Sequence, residues 1–307
     1  MMDKTVRGVL DQIADAHEFP ADAAVNIRVD GQKAERRNTR DIEIVTKSDK
    51  DGIDVYIAPG TKKGSVHIPV VLTKSGFKDR VYNDFYIGEG AECEIIAGCG
   101  INNCGCDDSQ HDGAHSFHIG KNAIVTYREK HYGEGGGTGK RILNPQTVIE
   151  LEEGASLTLD TSQIRGVDNT KRYTKATIGP GAELIIQEKL LTHESQTAES
   201  EMDVFLVGEG ARTRVVSRSV ARDDSVQIFY PRVSGDCACF GHVSCDAIIM
   251  GNARVRAIPE ISCNHVDAAL IHEAAIGKIA GEQILKLMTL GLSAEEAEEK
   301  ILEGFLR

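Results

Sequence analysis

The apolar residues of this chain follow a short repeating pattern rather than a long helical one. A turn of the form apolar–Gly–x–Gly/Asn–Ala recurs with small departures, and alternating apolar and polar residues follow each copy. Examples are IGEGAECEIIAG from Ile87, IGKNAIVTYREK from Ile119 and IGPGAELIIQEK from Ile178. A period of two is typical of β-strands, and Gly or Asn suits the left-handed positions of tight turns. The pattern therefore predicts many short strands joined by tight turns.

The spacing of these turns indicates coils that stack on one another. The alanines that close the turns recur every 27 to 42 residues, at Ala91, Ala123, Ala155, Ala182, Ala211 and Ala253. Repeats of this kind stack because a single unit cannot bury its own apolar face. The strict six-residue period of a left-handed β-helix is missing, and so are helices between the strands. We therefore predict a mainly β protein, a right-handed parallel β-helix (solenoid) with its core in residues 51–262.

Both ends of the chain carry helical patterns. We predict that residues 1–50 form an N-terminal helical cap and that residues 263–307 form a C-terminal segment of two helices. A capping box at Ser293 marks the start of the second of these helices. Their apolar stripe includes Ile284, Leu287, Met288, Ile301 and Phe305. This stripe either docks on the end of the β-helix or binds a partner protein.

Composition and charge exclude several classes of partner. The formal net charge is −12, whereas a nucleic-acid-binding protein needs a positive surface to displace counterions from phosphate. The longest apolar runs, such as residues 68–72, are too short to span a membrane, and the N-terminus lacks the apolar stretch of a signal peptide. We therefore expect a cytoplasmic protein that binds neither nucleic acid nor a membrane.

The cysteines offer the most specific chemistry. In the cytoplasm the eight cysteines are not expected to form disulfides. Cys99, Cys104 and Cys106 lie within eight residues of glycine-rich sequence, and thiolates are soft ligands that select zinc, copper(I) or iron–sulfur clusters. We predict that these three bind one metal centre; the alternative is a long connection with incidental cysteines. Cys263 and His265 share a strand face, and ligand and packing roles stay open for them.

The C-terminal sequence resembles that of a known family. Residues 272–306, HEAAIGKIAGEQILKLMTLGLSAEEAEEKILEGFL, are similar to the end of the SufB and SufD proteins of iron–sulfur cluster assembly. Members share the His-Glu/Gly-Ala start, a Glu/Asp-Gln pair that opens a helix, a Gly–apolar–Ser/Thr break and a Gly-Phe close. The repeated turns also fit the β-helix core of that family. The resemblance covers roughly residues 50–307.

The resemblance implies roles for particular residues. A glutamate in the last helical break serves the assembly site in SufB, and Glu295 matches it here. A histidine serves the same interface in SufD, and His272 matches it. Val266 occupies the position of the SufB catalytic cysteine, so that Cys263, three residues earlier, is the nearest substitute.

The function implied by the resemblance is that of a non-enzymatic scaffold. It would assemble an iron–sulfur cluster, with [4Fe–4S] favoured over [2Fe–2S], as a homodimer with a SufC-like ABC ATPase that docks on the C-terminal helices. The chain has no nucleotide-binding motif, so ATP hydrolysis is expected in the partner, and the sequence does not identify the sulfur donor. The alternative is a β-helix enzyme that acts on acidic polysaccharide. The many cysteines and the missing signal peptide count against it.

Overall fold

Short strands make up most of the molecule, with one helix before them and two after them. A computed structural model describes residues 3–14 and 19–306; residues 1–2 and 15–18, at the ends of the predicted N-terminal helix, lie outside this part. In chain order the elements are α1 (Lys4–Ile13), β1 (Ala24–Val29), β2 (Gln32–Arg37), β3 (Ile42–Thr46), β4 (Gly52–Ile57), β5 (Gly64–Leu72), β6 (Lys78–Ile87), β7 (Glu92–Asn102), β8 (Ser109–Ile119), β9 (Ile124–Glu134), β10 (Arg141–Leu143), β11 (Gln146–Leu151), β12 (Ser156–Arg165), β13 (Asn169–Ile178), β14 (Glu183–Thr192), β15 (Thr197–Leu206), β16 (Arg212–Ala221), β17 (Val226–Gly235), β18 (Phe240–Ile249), β19 (Arg254–Ala257), β20 (Glu260–Cys263), β21 (Ala269–Gly277), α2 (Gly281–Met288) and α3 (Ala294–Phe305).

The strands form two long sheets that face each other. The first sheet has the order β2-β1-β5-β7-β9-β12-β14-β16-β18-β21, and the second has β19-β17-β15-β13-β10-β8-β6-β4-β3. In the second sheet β11 also pairs with β13 and β8, and β20 pairs with β17. Equivalent strands of successive coils pair in parallel, for example β14 with β16 and β15 with β17. The chain thus forms a parallel β-solenoid of about eight turns. This confirms the predicted β-helix.

Strands lie on both sides of the domain boundaries that the sequence predicted. In residues 1–50, β1 pairs in parallel with β5 and so extends the first sheet beyond residue 51. In residues 263–307, β21 pairs in parallel with β18 and extends the same sheet at the other end. The helical patterns therefore mark the ends of the chain, whereas the stack of coils runs across both boundaries.

The recurring turns adopt the conformation that their glycines and asparagines suggest. Gly90 has a φ of 64°, and Asn122, at the equivalent position of the next copy, has a φ of 54°. The alanine that follows each turn is buried, as Ala91 and Ala123 show with no exposed surface. Each turn therefore lies at the outside of the solenoid, and the alanine that follows it lies in the core.

The space between the two sheets, called the lumen here, has an apolar half and a polar half. Along β9 the inward residues are first Val125 and Tyr127 and then Glu129 and His131, all of them buried. The second sheet runs the other way, so that in β6 the buried Asp79 precedes the apolar residues. The apolar ends of the strands in the two sheets therefore face each other across the lumen, and so do their polar ends.

Helix α1 covers the outer face of the first sheet beside the polar half. Its residues Val9 and Ile13 are fully buried, in a cluster that reaches Val71 and Tyr132. Gly98 and Gly100 of β7 make room for the helix, since a Cβ atom on Gly98 would lie 2.7 Å from the Ile13 Cβ, and one on Gly100 would overlap Val9 Cγ1. The glycines on either side of Cys99 thus allow close packing of α1.

We predict that Gly100→Ala destabilises the protein by about 1–3 kcal/mol, because the added methyl overpacks the contact with Val9. The free energy of unfolding from urea denaturation measures this loss. Gly277→Ala is a matched control, since Gly277 also lies in a strand of the first sheet but a Cβ there meets no atom within 4 Å. Equal stability of the two variants would show that α1 does not pack on β7 as described.

Candidate metal site in the lumen

Cys99 lies in the polar half of the lumen, where strand pairing surrounds it with ionisable groups. It is 6% exposed and pairs directly with His131 in the next coil. On the opposite sheet, Asp79 pairs with His111 in the same way. In-register stacking of parallel strands brings these inward side chains together.

Three potential metal ligands meet at this point. The Cys99 sulfur, a carboxylate oxygen of Glu129 and a ring nitrogen of His131 all lie within 4.8 Å of one another, and all three residues are buried. His111, on the opposite sheet, also interacts electrostatically with Cys99 across the lumen. We call Cys99, Glu129 and His131 the lumen site.

Charged partners hold the lumen site from both sides. Arg172 of β13 donates a hydrogen bond of 2.7 Å to Glu129 and lies 3.6 Å from Glu188. The Tyr127 hydroxyl donates to Glu129 at 3.1 Å. The carboxylate of Glu129 is thus fixed by a guanidinium and a phenol, as supporting partners fix the ligands of metal sites.

The other side of the site is an ion-pair chain that ends at the thiol. Arg28 donates a hydrogen bond of 2.9 Å to Asp79, and His111 Nδ1 lies 3.1 Å from the same carboxylate. Burial raises the pKa of Asp79, but His111 and Arg28 outweigh burial and lower it to about 2. Asp79 is therefore an anion that can orient His111 toward Cys99.

The electrostatics of the lumen favour a thiolate at Cys99. Burial alone would raise the pKa of this thiol, but His111 and His131 outweigh it and lower the pKa to about 7. Burial lowers the pKa of His111, whereas Cys99 and Asp79 outweigh burial and raise it to about 10. A thiolate beside cationic groups is the form in which cysteine binds metals and attacks sulfur.

One histidine beside this group has no partner. His115 is 4% exposed, and neither of its ring nitrogens forms a hydrogen bond within the described residues. Its Nε2 lies 3.8 Å from Glu129. Burial is the main cause that lowers the pKa of His115 to about 4, so that the ring is neutral and offers a free lone pair. Unpaired buried polar groups are costly, and this imidazole is therefore a candidate ligand beside the lumen site.

The structure separates the three clustered cysteines of the sequence. Cys99 faces the lumen from β7, whereas Cys104 and Cys106 are exposed on the loop 103–108. The buried Asn103 side chain holds this loop, because it donates to the Asp107 carbonyl at 2.8 Å and accepts from Gly105 N at 3.1 Å. The metal-ligand group found among the described residues contains Cys99 without the other two. The structure thus does not bring the Cys99 side chain together with those of Cys104 and Cys106, and a common metal centre for the three stays a prediction.

The C-terminal site residues lie at the last coil. Cys263 is exposed and is the last residue of β20, and the side chain of His265 in the following turn is 39% exposed. Val266, at the aligned SufB cysteine position, is 94% exposed at the tip of that turn. His272 lies on β21, and its buried Nε2 forms no hydrogen bond within the part of the chain that the structure describes. Adjacent β20 and β21 thus bring a thiol and imidazoles to the open end of the solenoid.

Glu295 and the predicted partner-binding stripe lie on the two-helix tail. Glu295 is exposed in the first turn of α3, after the confirmed capping box at Ser293. Ile284, Leu287, Ile301 and Phe305 are half-buried and Met288 is exposed.

Sequence reasoning identified Cys99 but missed most of its neighbours. Glu129, His131 and Arg172 lie on other coils, at distances along the chain that no short motif spans. A signal was nevertheless present, because Ala123 faces inward and a period of two then places residues 129 and 131 inward as well. Charged residues at predicted inward positions were the available sign of a site.

These features define a class: a parallel β-solenoid with a thiolate, imidazole and carboxylate site inside its stack. A family model for "SUF system FeS cluster assembly, SufBD core domain" matches residues 82–305. The chain belongs to the SufBD family, which supports a role in iron–sulfur cluster assembly rather than in polysaccharide breakdown.

Several SufBD family proteins of archaea resemble the chain. An iron–sulfur cluster assembly SufBD family protein of Archaeoglobus fulgidus is 29% identical over 276 residues, 86% of this chain and 71% of the relative. One from Pyrococcus horikoshii is 27% identical over 283 residues, 91% of this chain and 81% of the relative. One from Methanocaldococcus jannaschii is 30% identical over 190 residues, 61% of this chain and 60% of the relative. None of the helices in the described part of the chain has the length and apolar content of a membrane span.

Proposed function

We propose that the chain is a non-enzymatic cytoplasmic scaffold on which two copies assemble a [4Fe–4S] cluster with the help of an ABC-type ATPase. The observation that carries this proposal is the open C-terminal end of the solenoid. There Cys263, His265 and His272 lie on adjacent segments of the last coil. The iron and sulfide are the cargo of this site, and family membership supports that cargo.

The last coil offers a surface for a second copy. β21 is the final strand of the first sheet, and its outer edge faces no further strand among the described residues. Ile271 and Ile276 on this strand are 50% and 39% exposed. An exposed, partly apolar edge strand readily pairs with another chain.

Pairing of two copies would supply enough ligands for a cluster. Cys263 and one histidine from each copy give four ligands, and a [4Fe–4S] cluster takes four. A single copy offers one exposed thiol here, which is too few. This need for ligands from both copies favours a homodimer.

The two-helix tail offers a surface for the ATPase. α2 contains no buried residue, and α3 buries only Ala297 and Leu302. The Leu285 and Leu290 side chains are 62% and 76% exposed. Exposed apolar side chains on a charged helical hairpin are typical of a docking surface.

We predict that anaerobic reconstitution of the full chain with iron and sulfide gives a dimer with visible sulfur-to-iron charge-transfer absorption, and that Cys263→Ser removes it. Loss of even a supporting partner of a metal ligand costs about 10–100-fold in affinity, so loss of a ligand should leave little cluster. Iron and sulfide analysis and light scattering measure the outcome.

The double variant Cys104→Ser, Cys106→Ser is the control for exposed thiols and should keep its cluster. A cluster that survives in Cys263→Ser and disappears in the control would move the site to the loop 103–108. No cluster in any variant, or a monomer throughout, would contradict the proposed function.

We predict that deletion of residues 281–307 abolishes capture of an ABC-type ATPase and leaves the β-sheet circular dichroism intact. The tail should be dispensable for the fold because α2 and α3 bury few residues, and the link of α3 to the solenoid includes a partly buried ion pair among its polar contacts in the described residues, Arg222 to Glu298 at 3.1 Å. Pull-down and circular dichroism test both parts.

A point variant separates docking from folding. Leu285→Glu should weaken capture, whereas Gln283→Glu, an exposed change of equal charge on the same helix, should not. Undiminished capture by the truncated chain would contradict the assignment of the tail, and loss of its β-sheet signal would make the tail a structural cap.

A further inference from the structure

We propose that the lumen site binds one divalent transition-metal ion, with Cys99, Glu129 and His131 as ligands and His115 as a fourth. This is a second site, inside the solenoid, distinct from the exposed residues of the last coil. The assignment of ferrous iron as the natural ion rests on the proposed function; the site itself rests on its geometry.

The donor atoms are close enough for one ion. Those of Cys99, Glu129 and His131 lie within 4.8 Å of one another, while ligand atoms around a tetrahedral ion lie roughly 3.3–3.8 Å apart for bond lengths of about 2.0–2.3 Å. Shifts of about an ångström in side chains would close the shell. One sulfur with nitrogen and oxygen ligands suits borderline ions such as Fe²⁺, Co²⁺ and Zn²⁺ rather than Mg²⁺ or Ca²⁺.

Gly113 lets two imidazoles lie beside these donors. It lies on β8 between His111 and His115, where a Cβ atom would lie 2.9 Å from His115 Nε2 and 3.4 Å from His111 Nε2. A side chain at residue 113 would therefore push these imidazoles aside. The unpartnered ring of His115 lies against Gly113 and approaches Glu129 at 3.8 Å.

The permanent charges of the lumen also fit a cation. Two guanidinium groups, Arg28 and Arg172, face three carboxylates, Asp79, Glu129 and Glu188. A ligand thiolate adds one more negative charge, as metal binding requires. These groups and the His111 imidazolium together keep an excess of negative charge, which a bound cation would offset, and an uncompensated buried charge is costly.

Support for the ligands is already built into the fold. Arg172 and Tyr127 hold Glu129, as described above, and His111 links Cys99 to Asp79. Such outer partners normally orient metal ligands.

The test begins with the variant Cys104→Ser, Cys106→Ser, Cys263→Ser, which removes the three exposed thiols and keeps the five buried ones. Co²⁺ is offered without sulfide, both to the folded protein and during refolding, because the site is enclosed. We expect one Co²⁺ per chain with a near-ultraviolet thiolate-to-cobalt band. With Zn²⁺, X-ray absorption should show one sulfur at about 2.3 Å and nitrogen or oxygen at about 2.0–2.1 Å.

Two further changes on this background identify the site. Cys99→Ala should abolish the band, whereas Cys93→Ala, which removes a buried thiol from the same strand, should keep it. Gly113→Ala keeps every ligand residue, but its added methyl would lie 2.9 Å from His115 Nε2 and 3.4 Å from His111 Nε2 and so would displace the proposed fourth ligand. It should weaken Co²⁺ binding at least about tenfold, as disturbed supporting groups do.

The outcomes are decisive. No ion bound in either arm, a band that survives Cys99→Ala, or equal loss in the Cys93 variant would overturn the proposal. If Cys99→Ala does not fold, Gly113→Ala decides, and unchanged affinity there overturns it. Ion binding without cluster assembly in the dimer would instead count against the proposed function and leave this site standing.

Discussion

In-register stacking of parallel coils is the constraint on which the rest of this structure depends. Each inward side chain lies over the equivalent side chain of the next coil, and the lumen offers no bulk water to a charged group. Cys99 therefore lies over His131 and Asp79 over His111. A buried charge that loses its partner costs about 3–5 kcal/mol, so these residues must be matched as sets.

Because of this constraint, the apolar and polar halves of the lumen have different roles. In the apolar half, ladders such as Phe85 on Phe117, with ring centroids 4.6 Å apart, bury surface and stabilise the stack. In the polar half, buried ion pairs add little net stability over apolar residues of similar volume. We infer that the polar half is kept for chemistry, and α1, packed on Gly98 and Gly100, closes its outer wall.

The sequence was informative where structure repeats and uninformative where distant coils meet. Turns such as that at Ala91 gave the β-solenoid because each copy carries its own glycine and its own alternation. The strands of residues 1–50 were missed because they lack that turn. Cys99 was grouped with Cys104 and Cys106 because they are close along the chain. In the fold, the alternation of strand β7 buries the Cys99 side chain in the lumen, whereas Cys104 and Cys106 are exposed on the loop that follows.

We infer that the lumen site and the last coil serve one function, in which iron bound beside Cys99 is later built into a cluster between two copies. An isotope chase with Mössbauer spectroscopy tests this most directly. The protein is loaded with one ⁵⁷Fe²⁺ per chain, freed of excess iron, and given sulfide, unlabelled iron, the ATPase and ATP. We expect the mononuclear ⁵⁷Fe signal to be replaced by a cluster signal. A cluster built from unlabelled iron while the ⁵⁷Fe stays mononuclear would contradict it.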